Sequence, residues 1–374
     1  MSLRNRFGRG SAMVLASLAG ISGLAAVTAS TPRDGQAPAV AQSRTIGLVI
    51  TSWRYAFVET PDYKECEGGL QPGEVAQLKA SAATVQRLKA EGGTFENRGP
   101  NGETGHFSPL VVEDPLPWHE LITKTGYGAN LDGTQDGRAT RKTCKHEKFT
   151  SAEGEKVDNQ SARVLGCVMG WRDGGQIAEF YNNEIVNSQI NRHLIEVSGV
   201  DDEMNDPEVQ VTIYKGLGRL VRTGDNKFVP FLSQRVDPRF PKYNNHKGKG
   251  RIVNGMLITD PLPYVVFPLS SERNLGDRKM RDMTLRLKLT AEGADGILAG
   301  YDNWNHVYLT NAKRVVAELS KYSSPSLYRA FMRNADGYPD ESGQCQYISA
   351  AYKVKATRAM IVHPPKGRIN IAQN

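Results

Sequence analysis

Between Asn130 and Asp158 the chain carries its most suggestive polar spacing. Asn130, Asp132, Thr134 and Asp136 are alternate oxygen-bearing residues, the kind of run that wraps a calcium ion in hard oxygen ligands. An EF-type loop also needs Gly at its sixth position and Glu at its twelfth, and here Gln135 and Arg141 stand there. The EF form is therefore excluded. What remains is a looser structural calcium site using Asp132, Asp136 and Asp158, the single cofactor the sequence suggests. Asx and glycine turns in an ordered loop explain the same residues without an ion.

The densest acidic group is Asp201, Asp202, Glu203, Asn205 and Asp206, with Asp201, Asp202 and Asp206 as its candidate site residues. Carboxylates beside the end of a sheet can bind a cation or a sugar, or they can solvate a hairpin loop and discourage edge-to-edge pairing. The second reading is preferred, because a charge run is usually a solvated face. A glycosidase pair could be assembled from almost any two carboxylates, so their number decides nothing. There is no GxSxG elbow, HExxH, P-loop or GxGxxG after a strand, so the standard nucleophile, zinc-protease and nucleotide signatures are missing. No two of the seven histidines stand at helical i, i+4 spacing. Trp118, Trp171 and Trp304 could stack against a carbohydrate, or equally belong to a core.

These residues are carried by elements that read mostly as short antiparallel strands. The stretch His193 to Tyr214 holds two alternating segments, Ile195/Val197 and Val209/Val211/Ile213, around the acidic loop; it reads as the hairpin at the centre of a sheet. TIGLVITSWRYAFVET is a first strand with Trp53, Tyr55 and Phe57 on one face and a change of phase near Ser52, the mark of a bulge. Asn254-Gly255 between Ile252-Val253 and Met256-Leu257-Ile258 predicts a type I′ hairpin. Tyr264 to Leu269, Asp282 to Leu289 and Tyr347 to His363 complete the strands. Helical spacing marks Glu74 to Glu91, Ser161 to Met169, Gln176 to Asn191, Tyr308 to Lys321 and a helix opening at Ser324-Pro325. Gly93 to Asn159 is the longest irregular stretch. Hairpin signals without regular crossover helices favour packed antiparallel sheets over a doubly wound fold. The expected class is mostly β (α+β), an antiparallel β-sandwich or jelly-roll-like core with several flanking helices.

Arg4, Arg6 and Arg9 precede an uncharged apolar run from Ser11 to Ala29, the order of a secretory signal peptide. A retained anchor is the rival, but Ser17, Gly20, Ser22, Gly23 and Thr28 make the run a poor span. Cleavage after Ala29 fits the spacing and cleavage after Ala41 fits the local sequence. The expected organisation is signal peptide 1–29, linker 30–45, one sandwich-based domain 46–365 with helical and loop insertions, and tail 366–374. Loss of the three arginines lowers the formal charge from +7 to +4, which gives little support to a nucleic-acid partner. Four cysteines, Cys66, Cys144, Cys167 and Cys345, fit two disulfides in an oxidising compartment, with three connectivities open, or free thiols. No zinc or haem spacing occurs among them.

The order FTSAEGEKVDNQ, a Cys-bearing segment, a strand, an acidic loop, a strand, then PKY and VNGML resembles uncharacterised exported proteins of Gram-negative bacteria, over most of the chain from Trp53 to His363. The resemblance implies an extracytoplasmic β-sandwich, the pairing Cys66–Cys167 with Cys144–Cys345, and no activity. The sequence therefore leads to a periplasmic or secreted protein with no stable membrane span after signal cleavage. Its expected function is non-catalytic binding or association with the envelope, a carbohydrate or envelope component being the partner in view. The alternative is a secreted, carbohydrate-active hydrolase using an Asp/Glu pair.

Overall fold

Eight strands form the frame, and each is antiparallel to both of its neighbours. The structure, a computed structural model, describes residues 43–71, 101–103, 105, 107–111, 118–269, 276–311 and 322–365. The expected signal peptide, most of the expected linker, the helix expected at Glu74 to Glu91, the stretch 312–321 and the tail lie outside the described residues. Those described belong to one compact unit, Gln42–Asn374.

In chain order the strands are β1 (Arg44–Tyr55), the short pair β2 (Phe149–Thr150) and β3 (Lys156–Val157), β4 (His193–Val200), β5 (Asn205–Lys215), β6 (Leu232–Arg235), β7 (His246–Val253), β8 (Met256–Thr259), β9 (Leu262–Pro268), β10 (Asp277–Leu289), β11 (Gly293–Asn303), β12 (Gly337–Pro339) and β13 (Cys345–Val362). The helices are α1 (Gln160–Leu165), α2 (Gln176–Asn187), α3 (Trp304–Asn311) and α4 (Ser324–Asn334). The order β1-β4-β5-β7-β8-β10-β11-β13 returns to β1, because Leu48 to Tyr55 also pairs with Tyr352 to Arg358. β9 takes over from β8 along β10, while β6 and β12 add to β13.

The fold is thus a closed eight-stranded antiparallel β-barrel with extra strands, which corrects the expectation of a sandwich or jelly roll. Alternation shows that one face of each strand is buried, and a curled sheet buries that face on itself as well as two flat sheets bury theirs on each other. At the closing seam Gly47 is required: a Cβ there would lie 2.3 Å from the Ala359 carbonyl oxygen. Between β10 and β11 a Cβ on Gly296 would lie 2.0 Å from the Arg286 carbonyl oxygen.

The barrel interior is filled by the alternating residues. Ile46, Leu48 and Ile50, Ile195 and Val197, Val209, Val211 and Ile213, and Leu285 and Leu287 all enter one core, each such side chain contributing about 1.5–3 kcal/mol on burial. Charges take the opposite phase: Lys247, Lys249 and Arg251 on β7 are exposed. Apolar inside and charged outside is the reverse of a transmembrane barrel. Among the described residues no helix is long and apolar enough to cross a membrane.

Local expectations fare well. Ile195 stands opposite Ile213 and Val197 opposite Val211 in the β4–β5 hairpin. The register of β1 slips between Ile50 and Ser52, and Asn254 and Gly255 both have the positive φ (50° and 72°) that a type I′ turn needs. The described part of the irregular stretch lies against the barrel wall. Small residues, Ala129 over Ala299 and Ala351, let it come close. Asn159 pins it there, donating to the Ala56 and Tyr127 carbonyls at 3.0 Å and accepting from Ala351 N at 3.1 Å. Two disulfides, Cys66–Cys167 and Cys144–Cys345, tie this layer to itself and to β13, in the pairing the resemblance implies. They are compatible with a secreted protein.

Candidate functional site

The polar loop singled out by its spacing folds into a buried ionic cluster. Asp132 and Asp158 come together, and Asp136 does not: it is exposed and accepts from Arg138 N in a local turn. Asp132, His146 and Asp158 each offer a ligand atom within 4.8 Å of the others. Lys148 enters the same space. Its Nζ donates to Asn130 Oδ1 (2.8 Å), Asp132 Oδ1 (2.5 Å) and Asp158 Oδ2 (2.9 Å), and its side chain is 2% exposed. All three ammonium hydrogens are used, and a positive charge stands where the carboxylates converge.

His146 completes the cluster, with Nδ1 donating to the Cys144 carbonyl (2.9 Å) and Nε2 to Asp158 Oδ1 (2.8 Å). Burial alone would lower its pKa, but the bond to Asp158 and the charge of Asp336 outweigh that and push it up to about 9. Asp336, whose Oδ2 is 3.9 Å from His146 Nε2, is pushed up to about 7 by burial, against the pull of His146. This is a set of charges compensated from within the chain, arranged to fasten the loop to β13.

The acidic turn has a different character. Asp201 and Asp202 are exposed, while Asp206 is buried and accepts from Asp201 N (2.7 Å) and Glu208 N (3.1 Å) within its own turn. It joins β4 to β5 at the barrel end opposite His193. Trp118, Trp171 and Trp304 are all buried, so no exposed stacking platform forms from them.

The other end of the barrel holds the feature the sequence reading missed. Here β1, β10, β11 and β13 bring Trp53, Tyr55, Arg278, Asp302 and Tyr352 to one slot, closed from outside by Trp171 and by Tyr181 of α2. Arg54 holds that helix in place through Glu179 (2.7 Å). The slot measures about 40 Å³, room for a few atoms. At its base Arg278 Nη1 lies 3.0 Å from Asp302 Oδ2, which also accepts from Tyr352 Oη (2.5 Å). Burial raises the Asp302 carboxyl to about 6 against the opposing guanidinium. Trp171 stacks on Tyr181 (centroids 5.3 Å apart), and its buried indole N–H has no acceptor among the described residues.

Beside the slot, and sharing Asp277 and His306 with it, lies a groove of about 640 Å³. Ile190, Leu217, Phe240 and Tyr243 give it apolar walls, and Lys215, Arg239 and Lys242 give it charge. Lys215 and Arg239 share one buried carboxylate, Asp237, at 2.8 and 2.9 Å. Lys242 Nζ and Tyr243 Oη hold Asp277 at 2.8 and 2.5 Å; burial would raise this carboxyl, and the two donors keep it below its ordinary value.

Two signals could have pointed here. Arg278 and Met280 share the inward phase of β10, but the slip in register between Arg281 and Thr284 makes the strand read as starting at Asp282. Asp302 sits at an inward position of β11, whose three glycines, Gly293, Gly296 and Gly300, conceal its alternation. Comparison with known proteins finds no matching family model, curated protein or solved structure.

Proposed function

We propose that this is a non-catalytic binding protein, exported to the periplasm or beyond, that takes a small ligand at the slot and groove of its barrel end. The groove carries the reading. Its volume falls in the range of about 300–1,000 Å³ usual for ligand sites, and its apolar walls carry a few converging polar groups. The N–H of Trp171, which has no acceptor among the described residues, adds support, since a buried donor without an acceptor costs about 1–3 kcal/mol and a ligand oxygen relieves that cost. Titration with phenylnaphthylamine or its sulfonated analogue, read by energy transfer from Trp53 and Trp171, gives saturable binding that Phe240→Ser weakens. Absence of saturable binding of either dye refutes the proposal.

One observation favours the hydrolase alternative. Asp277 and Asp302 line the same slot, and their carboxyls are displaced in opposite directions, as an acid and a base would be. Both are engaged, however, Asp277 by Lys242 and Tyr243 and Asp302 by Arg278 and Tyr352. Turnover of nitrophenyl glycosides that Asp302→Asn abolishes would favour hydrolysis over binding.

A further inference from the structure

We infer that the ligand of the barrel end is an organic anion, a carboxylate, sulfonate or phosphate on an apolar body. Its acidic group lies in the groove and its apolar end faces the aromatic slot. This rests on the binding reading above and adds the charge of what is bound.

The argument is one of charge pairing. Six cationic side chains line the slot and groove, namely Arg54, Lys215, Arg239, Lys242, Arg278 and Lys279. Three have a carboxylate each: Arg54 has Glu179, Lys242 has Asp277 and Arg278 has Asp302. Lys215 and Arg239 divide a single carboxylate, Asp237; burial would raise its pKa, but the hydrogen bonds from these two cations outweigh that and bring it down to about 2. Lys279 is exposed, with no ion pair among the described residues. Among the described residues two positive charges are therefore in surplus, one in the groove, where Lys215 and Arg239 share a carboxylate, and one at Lys279 on the adjoining slot.

Aromatic rings hold the groove cations in position. Lys215 Nζ is 5.2 Å and the Arg239 guanidinium 5.6 Å from the centroid of Phe240, and Lys242 Nζ is 4.7 Å from that of Tyr243. The same rings present apolar surface, so the wall offers charge and stacking together. The slot is the wrong place for the acid: Asp302 lies at its base beside Arg278, and a second anion there would repel it. His306 adds no charge, because its Nε2–H donates to the Asp277 carbonyl (2.5 Å) and burial lowers its pKa.

The test compares two dyes that share one ring system, anilinonaphthalene sulfonate and uncharged phenylnaphthylamine, on the full-length mature protein. The sulfonate binds more tightly, and its advantage shrinks as salt is raised to about 0.5 M, where charges a few ångströms apart are screened. Arg239→Gln with Lys279→Gln removes the two surplus charges and leaves no carboxylate without a partner, because Lys215 then has Asp237 to itself. That double variant keeps the melting temperature, weakens the sulfonate about tenfold and leaves the uncharged dye unchanged. Equal binding of the two dyes, or a sulfonate affinity indifferent to the double variant, overturns the inference and leaves the binding reading standing. Saturable binding of neither dye overturns the binding reading itself.

Discussion

Replacing His146 by glutamine should remove a specific part of the protein's pH dependence. The imidazole is 5% exposed and donates from both nitrogens, to the Cys144 carbonyl and to Asp158. It is faced by Asp132 and Asp336, each with a carboxylate oxygen 3.9 Å from Nε2, and by Lys148, which is bound to Asp132 and Asp158. Its pKa is about 9 in the folded protein against 6.5 in the open chain. A raised histidine stabilises the fold fully below pH 6.5, and that stabilisation is lost as pH rises through 9. At about 1.4 kcal/mol per pH unit the interval corresponds to roughly 3 kcal/mol. Asp336 acts in a lower window. Its carboxyl, raised from 3.8 to about 7, favours the folded state most below pH 3.8 and loses that contribution by about pH 7. Above pH 7 the histidine term stands alone. Urea unfolding followed by tryptophan fluorescence between pH 7 and pH 9.5, above the Asp336 window, is the assay. The wild type should lose roughly 2–3 kcal/mol across this range; the His146→Gln protein should start lower by a similar amount, lose most of the slope and meet the wild type near pH 9. A wild type without slope, or a variant that keeps the slope, would refute the imidazolium assignment.

Two further outcomes follow from buried groups. Lys148→Ala leaves Asp132 and Asp158 without their shared cation and should cost about 3–5 kcal/mol. Millimolar calcium should raise the variant's melting temperature and leave that of the wild type unchanged; a calcium-dependent rise in the wild type would show that an ion displaces or joins the lysine. His193, fully buried between Trp53 and Phe267 at 5.5 and 5.3 Å, has no hydrogen-bond partner on either ring nitrogen among the described residues. Burial and the nearby Arg192, Lys215 and Arg278 lower its pKa to about 3. The unfolded chain takes a proton below pH 6.5 that the folded one refuses until about pH 3, so stability drains away as pH falls. His193→Phe should therefore be more resistant to acid by roughly 3 kcal/mol at pH 4, seen as a lower midpoint in an acid titration.

The candidate sites were legible to different degrees. The spacing from Asn130 to Asp136 did mark a place where carboxylates gather, and Asp158 belongs to it. What the spacing could not show is that Lys148, an unremarkable residue of a basic run, turns inward to hold them. The barrel-end recess left almost no trace, because its residues come from five separated strands, two helices and the turns between them. Two of its members sit on strand segments where a slip in register or a run of glycines obscures the alternation.

By itself the sequence determined what depends on neighbours along the chain. Alternation set the inward face of β5 and the inner half of β10, paired positive φ set the Asn254-Gly255 turn, and the phase change at Ser52 set the bulge in β1. Tertiary structure alone decided whether the sheet closes. Closure depends on β1 pairing with β4 on one edge and with β13, about three hundred residues away, on the other. Nothing in the period of either strand specifies that partner, because a buried face needs only apolar cover, and a barrel supplies it as well as a second sheet. The same holds for the ionic cluster and the groove. A charged side chain acquires its role from the charges brought beside it, and those are set by the pairing of distant strands.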